Sequence, residues 1–313
     1  MSAEPELSVI VPVYGCDACL PALHARLSAV LSKAAGAYEI IFVDDRSPDG
    51  SWAVVKEIAR RDPRVRALLL SRNFGQHAAI TAGLQHCRGR RAVVMDCDLQ
   101  DPPEEIPRFL AAAESGYDVV YGRRIQKKHS AFRRLAARAF FRIVNFFNKS
   151  HLQGDYGSFS LISRKVISEF RRINDQDRHY LFILNWLGFR STEVHYQHGQ
   201  RLEGRSSYSL RALMRHAFNG IFFQTTILLR WIVYAGFWIS ALGLLLAAYF
   251  VYQYLAHSVV PGWTSLAVLI LLIGGFIIAS TGISGLYVGK IFEQVKNRPL
   301  YVIDEFIGGD DRT

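Results

Sequence analysis

Between Trp231 and Gly289 the chain has not one Asp, Glu, Lys or Arg. A surface helix keeps a charged or polar face, so this absence excludes an ordinary solvated helix pair. The stretch breaks at residues 256–263 into two apolar arms, roughly Ile232–Tyr254 and Leu266–Val288. Each is long enough to cross ~30 Å of hydrocarbon at ~1.5 Å per residue. Two transmembrane helices are expected. The loop between the arms also lacks Lys and Arg, whereas Arg230 precedes the first arm and Lys290, Lys296 and Arg298 follow the second. The positive-inside rule then places both termini in the cytoplasm of a multi-pass protein. At the N-terminus there is no basic n-region, and Leu7–Val13 is too short for a signal sequence.

Other absences narrow the class. The chain has four cysteines. Cys16 and Cys19 have metal or redox spacing, but Cys87 and Cys97 form no second matching pair, so four free thiols are expected in a reducing cytoplasm. His195 and His198 lack nearby ligands of suitable type and read as structural. No G-x-G-x-x-G follows the first apolar run and no G-x-x-x-x-G-K-[ST] occurs, which removes the dinucleotide and P-loop readings. Acid is missing from Tyr121 to Gln153, where nine Lys or Arg stand. Arg134, Arg138 and Arg142 recur every four residues opposite Phe132, Leu135, Phe140, Ile143, Val144 and Phe147. A basic amphipathic helix over about 131–149 follows, suited to an anionic membrane surface, with no nucleic-acid partner.

What is present alternates. Leu7–Val13, Tyr38–Asp44, Val65–Leu70 and Ala92–Asp96 read as strands, separated by helices Leu20–Leu31, Ser51–Arg61 and Gln76–His86, with another helix from near Glu104. This βαβα order predicts a mostly parallel, doubly wound sheet. Asp118–Tyr121, Phe159–Ile162 and Ser191–Tyr196 add strands, Arg164–Phe170 a helix, and Leu210–Arg230 an interfacial helix leading into the first span. The expected domains are a cytoplasmic catalytic part over 1–209, the interfacial helix at 210–230, two spans within 231–289 and a cytoplasmic tail over 290–313 that frays from Gly308.

Candidate chemistry gathers where the strands end. Val93-Val94-Met95 leads into Asp96-Cys97-Asp98-Leu99-Gln100-Asp101, then Pro102-Pro103. Clustered carboxylates cannot stay in a core, but they can hold a hard cation in the crevice at the strand ends of an open α/β sheet. The first strand exits through Pro12-Val13-Tyr14-Gly15, the second through Asp44-Asp45 and the third through Arg72-Asn73-Phe74-Gly75. Ser47 or Asp49 after the second strand also suits a helix cap.

Taken together, Ser8–Tyr14, Val43-Asp44-Asp45, Arg72–Gly75 and Met95–Glu104 resemble glycosyltransferase family 2. More narrowly, the chain is similar to the polyprenyl-phosphate glycosyltransferases, the branch related to dolichol-phosphate mannose synthase. Gly154-Asp155-Tyr156, Gly204-x-Ser206-x-Tyr208 and the apolar arms extend that likeness over nearly the whole chain. The resemblance implies a GT-A-type Rossmann-like fold and inverting transfer of one sugar, from a UDP-sugar to undecaprenyl or another polyprenyl phosphate, with Mg²⁺ or Mn²⁺ as cofactor. The lipid-linked product would serve envelope glycan or lipid A modification. By the same resemblance, Pro12, Tyr14, Asp44, Asp45, Asn73 and Asp96 serve the nucleotide sugar, and Asp98 and Gln100 the metal. Arg123, Arg133, Arg201 and Arg205 meet phosphates, and Asp155 positions the acceptor or serves as a weak base. Relatives often carry Lys where this chain has Ser207, and Arg205 either stands in for that charge or lies on the surface. A homo-oligomer, the tetramer of related enzymes, is implied as well. The alternatives are a processive polysaccharide synthase, which usually carries Gln-x-x-Arg-Trp where this chain has Ile227 before Arg230-Trp231, and a non-catalytic nucleotide-binding scaffold.

Overall fold

The computed structural model describes residues 4–125, 156–176, 178–197, 199, 227–257 and 262–308. They fall into two compact units. Residues before 207 and from Arg298 onward form one, and the two long C-terminal helices form the other.

The first unit follows the expected alternation: β1 (Leu7–Val13), α1 (Leu20–Ala34), β2 (Tyr38–Asp44), α2 (Ser51–Arg61), β3 (Val65–Leu70), α3 (Gln76–His86) and β4 (Arg91–Val94). A 3₁₀ turn at Pro103–Glu105 leads into α4 (Ile106–Glu114), then β5 (Val119–Arg124), β6 (Tyr156–Ser163), α5 (Arg164–Arg172), α6 (Tyr180–Leu187) and β7 (Ser191–Tyr196). A last strand, β8 (Ile303–Ile307), returns to this sheet from beyond the long helices. The order across the sheet is β7-β5-β6-β4-β1-β2-β3-β8. β1 pairs in parallel with β2 and β4, β2 with β3, and β5 with β7, whereas β6 and β8 run antiparallel to their neighbours.

Alternation along the strands builds two core layers. Val9, Val11, Val13, Ile40 and Phe42 pack with Leu20, Leu23, Leu27 and Phe109 on one face. Ile10, Ile41, Val43 and Leu68 pack with Ile80, Leu84, Phe170 and Tyr180 on the other. Helix α3 lies so close to β1 that a Cβ on Gly83 would come within 2.4 Å of Ile10 Cγ2. A buried network closes the end of the sheet remote from the acidic motif. There Ser8 Oγ donates to Glu39 Oε1 at 2.6 Å, and Arg66 Nη1 pairs with Glu39 Oε2 at 3.1 Å.

The second unit consists of α7 (Ile227–His257) and α8 (Trp263–Val295). Both are longer than the ~20 residues a bilayer core needs. Among the described residues, Ile273–Val295 is long and apolar enough to cross a membrane, and none of it is buried within the chain. The corresponding run in α7, Trp231–Gly243, is shorter. The helices meet where Gly236 lies against the Phe276 ring. Trp231, Phe237, Trp238, Leu245, Ile270, Ile278 and Val288 are all exposed. The basic helix expected over 131–149 and most of the interfacial helix at 210–230 lie outside the described residues.

Candidate functional site

Parallel pairing brings the C-terminal ends of β1, β2, β3 and β4 to one edge of the sheet. β6 runs the other way, so its first residues, Tyr156 to Ser158, reach that same edge, with Tyr156 opposite Arg123 and Ser160 opposite Val94. The residues expected to carry chemistry therefore converge from separate parts of the chain.

Pro12 is buried in β1, and Tyr14 just beyond it is 54% exposed. Asp44 ends β2, fully buried, with Oδ1 accepting the Ser47 N–H at 2.7 Å and Oδ2 meeting no hydrogen-bond donor among the described residues. Burial pushes its pKa above the ordinary carboxylate value, against the bond from Ser47. Asp45 has a different environment. Its Oδ1 accepts the Phe74 N–H at 2.7 Å and its Oδ2 the Gly75 N–H at 2.8 Å, so it clamps the β3–α3 turn. Gly75, at φ +98°, supplies a backbone conformation that an L side chain disfavours. Asn73 on the same turn is exposed.

The β4 exit holds the acids. Oδ1 of Asp96 accepts from Ser158 Oγ at 2.6 Å and Gln76 Nε2 at 2.7 Å. Burial, and then the Asp101 carboxylate, push Asp96 above the ordinary carboxylate value. Asp98 Oδ1 accepts the Gln100 N–H at 3.1 Å, the Gln100 carbonyl accepts the Gly199 N–H at 2.8 Å, and Leu99 between them adopts φ +61°. Asp101 is fully buried and accepts from the Tyr196 hydroxyl at 2.6 Å.

The two arginines that end β5 part ways, as neighbours on a strand do. Arg123 pairs with Glu193 at 3.0 Å, and Glu193 also accepts from the Tyr156 hydroxyl. Arg124 turns to the acids, 3.5 Å from Asp101 and 3.7 Å from Asp96, and its Nε donates to Tyr196 Oη at 3.2 Å. Burial works against the Arg124 charge, but Asp101, Tyr196 and Asp96 outweigh it and raise its pKa. Gly157 leaves the room this needs, because a Cβ there would meet the guanidinium at 2.5 Å. Arg124, Tyr196, Ser158 and Gln76 are absent from the sequence-based set, and Asp101, expected in the crevice with the other acids, is instead buried because Tyr196 and Arg124 satisfy it. The adjacent arginines on a strand carried the one available signal, since alternation must send one of them toward the acids.

Cys16 and Cys97 are joined by a disulfide, with Cα atoms 6.6 Å apart, and Cys19 and Cys87 remain thiols. Two of the four expected thiols are therefore bridged in this structure. Strands β1 and β4 are sheet neighbours, so residues 81 apart in sequence come together just past their ends. Arg133, Asp155, Arg201 and Arg205 lie outside the described residues.

Oxygen donors dominate this edge. Among the described residues, no group of three or more His, Cys, Asp or Glu side chains is arranged to hold a metal ion. Mg²⁺ typically takes one or two carboxylates and fills its remaining positions with substrate phosphate and water. The carboxylate of Asp98 and the side-chain amide of Gln100 fit that chemistry.

Known proteins resemble this chain in sequence and in fold. The profile of Glycosyl transferase family 2 matches residues 8–171. Over 100% of the chain and 97% of its relative, the sequence is 34% identical to the uncharacterized glycosyltransferase YkcC of Bacillus subtilis. It is 34% identical to the undecaprenyl-phosphate 4-deoxy-4-formamido-L-arabinose transferase of Yersinia pestis, covering 97% of this chain and 94% of that one. The SfII prophage-derived bactoprenol glucosyl transferase of Shigella flexneri is 30% identical, over 95% and 97%. Among solved structures, glucosyl-3-phosphoglycerate synthase of Mycobacterium tuberculosis, in complex with Mn²⁺, UDP and glucosyl-3-phosphoglycerate, shares the fold. Its TM-score is 0.51 at 14% identity, over 71% of this chain and 81% of that one.

Proposed function

Because the chain belongs to glycosyl transferase family 2, we propose that it transfers one sugar from a UDP-sugar to undecaprenyl phosphate or another polyprenyl phosphate. One observation carries this reading. Similarity to the two named undecaprenyl-phosphate and bactoprenol transferases extends through the apolar C-terminal helices instead of stopping at the catalytic sheet.

In this reading Tyr14 offers its ring to the nucleotide base, Pro12 shapes the wall beneath it, and Asp44, whose buried Oδ2 has no donor among the described residues, accepts from base or ribose. Asp96 stands beside the ribose and diphosphate, Asn73 serves the nucleotide sugar from the neighbouring turn, and Asp45 fixes that turn. Asp98 and Gln100 would hold Mg²⁺ or Mn²⁺. Such a cation, when bound, stabilises the departing diphosphate electrostatically. Arg123 meets the phosphates together with Arg133, Arg201 and Arg205, where a guanidinium can grip two oxygens at once. The acceptor needs little deprotonation, because a phosphate monoester has a second pKa of about 6. Asp155 therefore positions it. One acceptor oxygen bonds to the anomeric carbon as the bond to the diphosphate breaks, which inverts that centre.

Strand β8 supports a membrane hairpin. It hydrogen-bonds to β3, so the chain before α7 and the chain after α8 end in the same compartment. Any crossing between them must be even in number, and α7 and α8 supply two. The arginine and lysine flanks support a cytoplasmic position for that compartment, at the inner membrane. Ser280, Gly282, Ser284, Gly285 and Gly289 along α8 suit close helix packing in a homo-oligomer.

Membranes containing the protein, given a panel of nucleotide sugars and undecaprenyl phosphate, should yield a lipid-linked single sugar detectable by mass. Donor hydrolysis without any lipid product would overturn the acceptor, and polymeric product would favour a processive synthase.

A further inference from the structure

Of the features that the proposed transfer leaves unused, the Cys16–Cys97 pair stands nearest the chemistry. Cys97 is flanked by Asp96, which is bonded to Ser158 and Gln76, and by Asp98, whose carboxylate accepts the Gln100 N–H. Cys16 belongs to the other wall. Its N–H donates to Ser51 Oγ at 3.3 Å, and the N–H of Gly15 before it donates to Ser47 Oγ at 3.3 Å. Ser47 also donates its N–H to Asp44. The disulfide therefore ties the Tyr14 and Asp44 side of the crevice to the Asp98 and Gln100 side.

We propose that Cys16 and Cys97 are a reversible thiol–disulfide site, oxidised by a low-molecular-weight disulfide of the glutathione type, that ties the two walls of the donor crevice together when bridged and frees them when reduced. The gate rests on the proposed donor site, while bridge formation does not. In the oxidation the two thiols give up two electrons to the small disulfide. Its sulfur–sulfur bond breaks as the protein's forms, and the two protons leave on two small thiols. Two observations and the proposed compartment support reversibility. Both cysteines are nearly buried, at 9% and 8% exposure, so the bond is reached by small reagents in preference to proteins. The Cα separation of 6.6 Å lies inside the range a disulfide accepts, near its upper end. The proposed cytoplasmic side keeps thiols reduced at rest, which makes the bridged form the responsive state.

Bridging costs the acid loop its freedom. Leu99 already holds φ +61°, and Gln100 is tied to Gly199, so a cross-link at residue 97 leaves Asp98 little room to adapt to a diphosphate. The bridged form should bind nucleotide and cation more weakly.

The test uses the full chain in detergent, equilibrated across mixtures of reduced and oxidised glutathione. Free thiols are alkylated and mapped by mass, and UDP binding with Mn²⁺ is followed by calorimetry. A Cys16–Cys97 peptide should appear on the oxidising side, with UDP affinity about tenfold weaker, and reduction should restore that affinity. Cys16→Ser should give one affinity in both conditions. Cys97→Ser serves the same purpose if Cys16→Ser does not fold, and Cys87→Ser should keep the response. Alkylation of both Cys16 and Cys97 in every mixture would overturn the site. A bridge that leaves affinity unchanged would overturn the gate alone, and absence of UDP binding in both states would overturn the proposed donor site together with the gate.

Discussion

The guanidinium of Arg124 stands 3.5 Å from the carboxylate of Asp101, a side chain with no exposed surface. That pairing joins the end of β5 to the acidic motif after β4, and Tyr196 completes it from β7. A buried carboxylate that loses its cation is left uncompensated, which typically costs about 3–5 kcal/mol. Arg124 is partly exposed, so the lower end applies, and Arg124→Gln should lower stability by roughly 3 kcal/mol. Adding Asp101→Asn should recover part of the loss, because the second change removes the stranded charge. Thermal melts of the two single variants and the double variant measure this coupling, and simple additivity would show that the pair does not interact.

Asp98→Ala should reduce transfer by a hundred- to a thousandfold, about 2.7–4 kcal/mol, the usual loss when a charge-stabilising contact is removed. Chelation should silence the unmodified protein. Undiminished transfer in excess chelator, or a tenfold loss or less in the variant, would make Asp98 peripheral.

Asp44 combines burial, a raised pKa and one oxygen without a donor. A carboxyl whose folded-state pKa is raised contributes stability below its unfolded pKa, and that contribution is lost as pH rises through the folded value. Melting temperatures should therefore decline, as far as Asp44 contributes, from the ordinary carboxylate range toward neutrality. Asp44→Asn should flatten that part of the profile and raise the melting temperature at neutral pH, while weakening UDP binding. A variant that melts lower at neutral pH would mean the carboxylate is needed for the fold.

Asp62 shows the opposite sign. Burial disfavours its charge, but Arg64 and His24 more than compensate and bring its pKa to about 2. The stability it supplies is present above the ordinary carboxylate pKa and disappears as pH falls through about 2. Asp62→Asn should lower the melting temperature at neutral pH and leave it unchanged in strong acid. Equal destabilisation at both pH values would assign the effect to packing.

Removing everything after Arg230 should leave a damaged sheet. Trp52 Nε1 donates to Glu305 at 3.0 Å, Lys56 pairs with the same carboxylate, Arg46 pairs with Asp304, and β3 loses its neighbour. Such a fragment should melt well below the full chain, and restoring residues 298–308 through a flexible linker should recover most of the difference. A fragment as stable as the whole protein would show that β8 contributes little.

The parallel core was legible because its strands are apolar, short and spaced by helices. The bounds of β1, β2, β3, α2 and α3 coincide with those read from the sequence. What escaped was non-local. The strand pattern of β8 is five residues after a long apolar segment, and only its partner β3 makes it a strand. Helix α6 is apolar on nearly every side, Tyr-Leu-Phe-Ile-Leu-Asn-Trp-Leu, so it has no amphipathic period to announce it. The site divides the same way. Asp96, Asp98 and Gln100 stand out within one short motif, whereas Ser158, Gln76, Arg124 and Tyr196 become neighbours only once the strands are ordered. The Cys16–Cys97 bond was hidden for the same reason.

The position of β8 also sets an order of events during synthesis. Its partner strand is made early, but β8 itself emerges only after both long helices have left the ribosome. Until then β3 presents an open edge, the kind of surface that invites pairing with other chains. The nascent sheet must wait while both long helices are made, and a fault in completing α7 or α8 would leave β3 in that state. Completion of the sheet is thereby coupled to completion of the two helices: a chain that stops short of β8 keeps an open β3 edge, the kind of exposed surface that favours aggregation.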